Sequence, residues 1–385
     1  MDQKYLADTR RLLIYIMLSP SPFHAVSTAA AELDASGFTP LDERKPFNVK
    51  RGGRYYVKRN SSALIAFSIP SSFSGFNIVS AHTDSPCFKV KWNPEVKAAG
   101  FPTRLNVEAY GGMIMQSWFD RPLSIAGRVF IKRNGKVEEK LVNLGQKFTI
   151  VIPNLAIHQN REANNGWKIS VQKEMLPIFS DGESSFLDEV ASSAECRKED
   201  LLDYDLFLYN KTAPVFWGAE GEFFSSPKID DLGCAWTALE ALKTSEPKDK
   251  IAMCALFDNE ETGSGTKQGA LSDFLLSVTE RIMENLGMGV EDKYITYAGS
   301  RMISADNGHA VHPAWKEKSD ITNIPRMNGG VLLKYSASQK YTTDAESGSY
   351  VRNLIDENNI PYQIFHNNSD VAGGSTLGNL SCQQV

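Results

Sequence analysis

The sequence of 385 residues predicts an α/β fold in which a mainly parallel sheet is interrupted by a β-rich insert. Three observations predict it. After residue 221, strand-like and helix-like stretches alternate, which is typical of a parallel sheet covered by helices on both faces. Between residues 93 and 221, short β-rich stretches predominate. The length also exceeds what one simple core usually holds, so we expect two domains.

The first 92 residues contain two predicted helices followed by three short strands. Apolar residues recur at helical spacing through 5–37, with a break at "SPSPFH" and an end at Gly37. The segments "RYYVKRN", "SALIAFSI" and "FNIVSAH" have strand character. In the insert, Asn134-Gly135 predicts a β-hairpin, and 159–200 predicts loops with one helix.

Residues 222–385 complete the predicted α/β domain. "LGCAWTALEALKTS" and "AESGSYVRNLIDENN" are predicted helices, and "TKQGALSDFLLSVTERIMENL" is predicted as a long one. "KIAMCALFD" reads as a strand buried on both faces, and "MISAD", "GGVLLKYS" and "YQIFHN" as further strands. The predicted boundaries are therefore 1–92 and 222–385 for the interrupted domain and 93–221 for the insert.

Composition and charge exclude several classes of partner. The net charge of −5 and the pI near 5.8 give no basic surface for nucleic acid or an anionic membrane. No apolar stretch approaches the roughly 20 residues that cross a bilayer. The five cysteines are scattered, without a metal-binding pair spacing. We therefore expect a cytoplasmic protein in a reducing compartment.

Candidate metal-binding side chains cluster at the predicted ends of strands, where α/β sheets bind ligands. They are His82, Asp84, Asp258, Glu260, Glu261 and Asp306, with Asp230 and Asp231 just before a helix. Taken singly, a strand-end aspartate is typical of a turn or a helix cap, Glu260 and Glu261 are typical of a solvated helix start, and His82 is typical of a hydrogen-bonded structural residue. Together, one histidine and several carboxylates suit a divalent metal, above all zinc, and a carboxylate can bridge two ions. In the Glu260-Glu261 pair, one side chain can bind metal while the other accepts a proton from water.

Several motifs, in order along nearly the whole chain, resemble those of the aspartyl aminopeptidase family of dinuclear metallopeptidases. They are "SAHTDSP", "YGGMIMQSWFDRPLSIAGRV", "PNLAIHQNRE", "SSPKIDDLGCAW", "LFDNEETGS", "SADNGHAVHP" and "GGSTLG". The resemblance implies a zinc-exopeptidase-like catalytic domain interrupted by a barrel-like dimerisation domain. It also implies a metalloaminopeptidase that removes N-terminal residues, Asp or Glu, from peptides.

Residue by residue, the resemblance implies a two-metal centre. His82 and Asp306 would bind one ion, Asp230 would bridge, and Glu261 would bind the second. The ions would be Zn²⁺, with Mn²⁺ or Co²⁺ as alternatives. Glu260 would be the general base for attack by a metal-bridging hydroxide, and Asp84 would fix the tautomer of the His82 imidazole.

The resemblance also implies substrate contacts and an assembly. His158, in the insert, would act catalytically: it would reach a neighbouring subunit's active site and help to stabilise the oxyanion. His309 and Lys334 would contact substrate, where a cation suits an acidic N-terminal side chain, and Gly374 and Ser375 would lie in the substrate loop. The insert would form dimers, and these would close into a tetrahedral dodecamer.

Two departures from the family pattern stand out. Asp231 occupies a position that is usually asparagine, so this carboxylate either competes for metal or faces solvent. The family's second metal also keeps a histidine beyond "GGSTLG", which is not found before Val385, and we expect a chain truncated at that end. Two alternative functions remain: a non-catalytic scaffold of the same fold with an incomplete metal site, and a metal-dependent amidohydrolase acting on non-peptide amides.

Overall fold

A computed structural model describes residues 3–371, 373–374 and 377–378. Its helices are α1 (Gln3–Leu18), α2 (Pro22–Ala35), α3 (Val171–Glu174), α4 (Phe186–Ser193), α5 (Ile229–Thr244), α6 (Phe274–Asn285), α7 (Val290–Ala298) and α8 (Ala345–Glu357). Its strands are β1 (Thr39–Leu41), β2 (Arg54–Arg59), β3 (Ala63–Ser68), β4 (Phe76–His82), β5 (Cys87–Ala98), β6 (Phe101–Tyr110), β7 (Leu123–Arg133), β8 (Lys136–Asn143), β9 (Ile178–Ser180), β10 (Leu201–Asn210), β11 (Val215–Trp217), β12 (Phe223–Ser225), β13 (Ile251–Phe257), β14 (Arg301–Ser304), β15 (Val331–Lys334) and β16 (Tyr362–Phe365).

The first sheet has the strand order β1-β2-β3-β13-β4-β14 and is mixed. Strand β4 runs parallel to both β13 and β14, and β1 runs parallel to β2, whereas β3 is antiparallel to both of its neighbours. The expectation of a mainly parallel sheet is therefore only partly met. The physical reason is the short turn after Arg59, where Asn60 and Ser61 have positive φ, because a connection this short joins only antiparallel strands.

Helices cover both faces of the first sheet. Alternate side chains of β3 point to opposite faces, so Leu64 and Ala66 pack with α1, α2 and α5, whereas Ile65 and Phe67 pack with α6. Every residue of β3 is buried, as expected for a strand covered on both sides. Strands β15 and β16 pair with each other, in parallel, and form a separate small sheet.

The second sheet is antiparallel, with the order β8-β7-β10-β5-β6-β9. The predicted hairpin is confirmed: Asn134 and Gly135, both with positive φ, connect β7 to β8. One face of the sheet packs on its own apolar core, which includes Phe88, Ile125 and Phe186. In the described residues the edge strands β8 and β9 do not pair, and 150–152 adds only isolated bridges, so the sheet is not a closed barrel.

Arg128, on β7, connects the two sheets. Its Nε donates to Asp205 Oδ2 at 3.0 Å within the second sheet, and its Nη1 donates to the Asn60 carbonyl in the β2–β3 turn at 2.8 Å. The guanidinium also lies 4.2 Å from the ring centroid of Phe23 on α2. One buried side chain thus bonds the second sheet to a turn and a helix of the first.

None of the described helices combines the length and the apolar character that crossing a membrane requires.

Candidate metal centre

His82 is the last residue of β4 and lies beside the end of β13. The parallel register pairs Phe257 with His82, and the Thr83 N–H donates to the Phe257 carbonyl at 2.8 Å. The residues that follow the two strands, including Asp84 and Glu260, therefore emerge at the same edge of the sheet. The prediction that these strand ends meet is confirmed.

The His82 imidazole has carboxylates on both sides. Its Nδ1 lies 3.2 Å from Asp84 Oδ1, and both side chains are buried. Its Nε2 lies 3.4 Å from Asp230 Oδ1, 3.9 Å from Asp231 Oδ2 and 4.0 Å from Glu260 Oε2. Burial opposes protonation, but the bonds to Asp230 and Asp84 raise the His82 pKa well above its usual value.

Five residues form what we call the acidic cluster: His82, Asp230, Asp231, Glu260 and Glu261. Two sets within it, His82 with Glu260 and Glu261, and His82 with Asp230 and Asp231, each bring their ligand atoms within 4.8 Å of one another. Burial raises the pKa of Glu261 to about 7; the charge of His82 opposes this shift, and smaller contributions from neighbouring carboxylates add to it. Imidazole nitrogen with converging carboxylate oxygens is a donor set that fits zinc.

Asp84 connects the acidic cluster to its surroundings. Beyond His82, it accepts hydrogen bonds from the N–H groups of Glu260 and Glu261, each at 3.2 Å. Its Oδ2 accepts a third, from Tyr110 Oη on β6, at 2.7 Å, and Asn259 Nδ2 donates to that Oη at 2.8 Å. The sequence reasoning missed the part played by Tyr110. Its place at the start of the "YGG" motif was the available signal.

Asp231 is fully buried, so the alternative that it faces solvent is wrong. It accepts hydrogen bonds from the His82 N–H at 3.1 Å and from Asn307 Nδ2 at 3.3 Å. These bonds turn the side chain inward from the start of α5, and burial raises its pKa to about 8. The Asp230 side chain, by contrast, remains 55% exposed at the edge of the cluster.

Asp306 and Lys334 form a pair next to the acidic cluster. Lys334 Nζ lies 3.4 Å from Asp306 Oδ1 and donates to the Asn307 carbonyl at 2.9 Å. Asp306 is outside the two ligand sets. Burial raises the pKa of Glu260, and the negative charge of Asp306 adds to that shift. His309, three residues further on, is exposed. The structure thus brings Lys334 and Asp306 together, with His309 on the nearby surface.

The remaining predicted site residues lie away from the acidic cluster or outside the described residues. His158 is in an exposed turn, where it forms no hydrogen bond or ion pair with the described cluster residues. Gly374 is exposed, and Ser375 lies outside the described residues. The end of the same loop contacts the first sheet, because the Gly378 N–H donates to Ser304 Oγ at 3.0 Å.

A histidine and several carboxylates at the edge of a mixed α/β sheet are the features of a metal-dependent hydrolase. Residues 15–385 match the family model described as "Aminopeptidase I zinc metalloprotease (M18)". The chain belongs to this M18 family of zinc aminopeptidases. It is thus a metal-dependent exopeptidase by family, and the expected resemblance is confirmed.

Curated relatives and solved structures agree with the family. The chain is 42% identical over 383 residues to "Probable M18 family aminopeptidase 2" of Clostridium acetobutylicum, covering 97% of this chain and 88% of the relative. It superposes on a chain of the "Ape4 and Nbr1 complex" with a TM-score of 0.91 at 32% identity, covering 97% of this chain and 77% of that one. For the S. cerevisiae mApe1 dodecamer the TM-score is 0.86 at 25% identity, covering 99% and 88%.

Proposed function

We propose that this chain removes N-terminal aspartate or glutamate from peptides, using a two-ion centre held by His82, Asp230, Glu261 and Asp306. The observation that carries the proposal is the convergence of the acidic cluster on His82 Nε2, within 3.4 Å for Asp230 and 4.0 Å for Glu260. Bound zinc would supply a Lewis acid that polarises the scissile carbonyl and acidifies a water molecule.

Glu260 is the proposed general base. Its carboxylate is largely buried within the cluster, and its N–H is held by Asp84, so the side chain starts from a fixed backbone position. It would accept a proton from the attacking water as the C–O bond forms. The same proton would pass to the leaving amine as the C–N bond breaks, so Glu260 ends each turnover ionised.

Asp84 is the proposed positioning residue. Hydrogen bonding to His82 Nδ1 directs Nε2 towards the metal site, because only the nitrogen without a proton can donate a lone pair. Asp84 also accepts hydrogen bonds from the N–H groups of Glu260 and Glu261. It would therefore fix the positions of the proposed base and of one proposed ligand relative to His82.

Lys334 and His309 are the proposed recognition residues for an acidic side chain. Lys334 Nζ already contacts the Asp306 carboxylate, so a substrate carboxylate beside the centre would be within reach of its charge. Backbone groups of the loop at Gly374 and Ser375 would approach the same substrate, since glycine allows a close approach.

The assembly is part of the proposal. Residues 93–221 would form a dimerisation domain between the two parts of the catalytic domain, 1–92 and 222–385. Dimers would close into a tetrahedral dodecamer in which His158 reaches the neighbouring subunit's centre. Support comes from the solved M18 structures this chain resembles, one of which is a dodecamer. A closed shell would restrict substrates to short peptides.

The test is an assay of the purified protein on aspartyl, glutamyl and leucyl p-nitroanilides, before and after chelation. We expect cleavage of the acidic substrates, loss of activity with a chelator, and recovery with zinc. Glu260→Gln should lower kcat at least about 100-fold, because general-base catalysis typically contributes 10²–10⁴. Glu246→Gln, at an exposed position, is the matched control. Activity that survives chelation, or that persists in Glu260→Gln, contradicts the proposal.

A further inference from the structure

A cavity of about 430 Å³ lies where the edge of the first sheet meets the second sheet. Ser85 and Asp230 line it from the first sheet's side, Phe207 and Tyr209 line it from β10, and Trp118 lines it from the loop before β7. This volume falls within the roughly 300–1,000 Å³ of small-ligand sites. Because Asp230 belongs to the acidic cluster too, the cavity and the proposed metal centre share a wall.

The lining is apolar with an excess of positive charge. Among the described lining residues the charged side chains are Arg121, Lys228 and Asp230, so Asp230 is the single acid. A divalent ion bound to the Asp230 carboxylate would neutralise its negative charge. The basic side chains of Arg121 and Lys228 would then face the cavity without an acidic partner in its described lining. Aromatic and proline side chains make up much of the remaining wall. Such a lining suits an apolar group that carries a carboxylate.

Lys228 is the more buried of the two basic residues. Burial lowers the pKa of its ammonium group to about 7, and a carboxylate bound beside it would favour the charged form. Its Nζ donates to the Ser19 carbonyl at 2.6 Å and lies 5.7 Å from the centroid of the Tyr209 ring. In the described part of the chain, no carboxylate forms an ion pair with it. An ammonium group has three donors, so Lys228 has donors left for an anionic ligand.

The two lysines near the proposed metal centre, Lys228 and Lys334, lie beside different proposed metal-binding carboxylates. Lys334 contacts Asp306, whereas Lys228 lines the cavity that Asp230 borders. A peptide at the centre likewise extends in two directions: its N-terminal side chain points one way and the rest of the chain the other. The proposed function assigns Lys334 to the N-terminal side chain, which leaves the cavity at Lys228 for the rest.

We propose that this cavity binds the residue after the scissile bond, and that Lys228, with Arg121, binds the free carboxylate of a dipeptide substrate. The preferred ligands are dipeptides with an apolar C-terminal residue, whose side chain packs against Trp118 and Phe207. This inference rests on the proposed aminopeptidase function, and it adds a specificity determinant on the leaving-group side.

The experiment compares kcat/KM of the intact, zinc-loaded protein for aspartyl-phenylalanine and for its C-terminal amide. We expect a preference of about tenfold for the free acid, the size of one charged hydrogen bond. Lys228→Met should lower this acid-to-amide ratio to near one. Lys211→Met is the control, because Lys211 Nζ also donates to a carbonyl, that of Gly145 at 2.7 Å, but does not line the cavity.

Arg121→Met is a second test of the same ratio. Because Arg121 is exposed, this substitution does not disturb a buried position. We expect a two- to threefold fall in the same ratio, about the value of a partly screened charge pair. Cleavage of both peptides at equal rates by the wild-type protein, or a ratio unchanged in both variants, overturns this inference alone. Cleavage of neither peptide overturns the proposed function as well.

Discussion

Tyr110 Oη, on the second sheet, donates a 2.7 Å hydrogen bond to Asp84 Oδ2, at the edge of the first sheet. Burial, and next the charge of Asp84, raise the pKa of the Tyr110 phenol, so it remains a neutral donor. Asp84 also contacts His82, so a single side chain of the second sheet reaches the proposed positioning residue of the centre.

Removing this bond tests whether Tyr110 positions the centre. Tyr110→Phe leaves Asp84 without one donor and Asn259 Nδ2 without its 2.8 Å acceptor. We expect zinc affinity to fall at least about tenfold, as is typical when the partner of a ligating histidine is perturbed. Competition with a chromophoric chelator measures it without relying on catalysis.

The control for Tyr110→Phe is Tyr56→Phe, which removes a 2.9 Å hydrogen bond from Tyr56 Oη, on β2, to Asp34 Oδ1, on α2. That variant should lose some stability but bind zinc normally. Equal zinc affinity in the two variants would show that Tyr110 plays only a structural part.

Lys334 offers a test of acidic specificity. Lys334→Met removes the cation beside Asp306. We expect kcat/KM for aspartyl p-nitroanilide to fall about tenfold or more, while that for leucyl p-nitroanilide falls much less, because only the acidic substrate loses a charged partner. Lys340→Met, at an exposed position further along the loop, is the control. A parallel fall for both substrates would rule out recognition by Lys334.

His24 predicts a pH dependence of stability. Burial, and next the charge of Lys228, lower the pKa of His24 to about 4. In the unfolded chain His24 has a pKa near 6.5, so on acidification it binds a proton before the folded protein does. The contribution of His24 to the free energy of unfolding is therefore complete above pH 6.5 and is lost as the pH falls towards 4. His24→Gln should flatten the pH dependence by about 2–3 kcal/mol across that range.

Urea unfolding at pH 7 and at pH 4.5 measures the effect as a difference between variants, so that other titrating groups cancel. His312→Gln, at an exposed position, is the control. If wild type and His24→Gln lose stability equally on acidification, His24 is not the residue responsible.

We expect the contacts that Arg128 makes between the two sheets to contribute substantially to the free energy of unfolding. Arg128→Met leaves the Asn60 carbonyl without its donor and Asp205 with Lys89 as its remaining cation. We expect a loss of about 2–4 kcal/mol in the free energy of unfolding, typical of breaking a buried charged network. Arg133→Met, whose side chain is 40% exposed, should cost much less. Chemical denaturation distinguishes the two, and equal losses would contradict the role of Arg128.

Local patterns in the sequence predict the strands and strand ends that build the centre. Strands β4 and β13 are short apolar runs followed by polar residues, so the meeting of His82 with Glu260 follows from the parallel arrangement. A helix is present in the segment predicted from residue 266, but its predicted start is wrong, because α6 begins at Phe274. Turns around Gly269, whose N–H donates to the Thr266 carbonyl, occupy the preceding residues.

Contacts between distant elements had no local signal. The burial of Asp231 depends on Asn307, 76 residues away in the chain, and the Tyr110–Asp84 bond crosses from one sheet to the other. Helix α7 was also missed, since a single residue of it, Thr296, is buried and its apolar periodicity is correspondingly weak.

Hydrogen bonds from the Glu260 and Glu261 N–H groups to Asp84 hold this turn in place through protein atoms alone. A zinc finger needs its ion in order to fold, so its metal affinity includes the free energy of folding. Here hydrogen bonds within the protein fix the backbone of the turns that carry the proposed ligands. Chelation should therefore leave the melting behaviour of the sheets largely intact, and the bound metal should exchange at a preorganised site without unfolding.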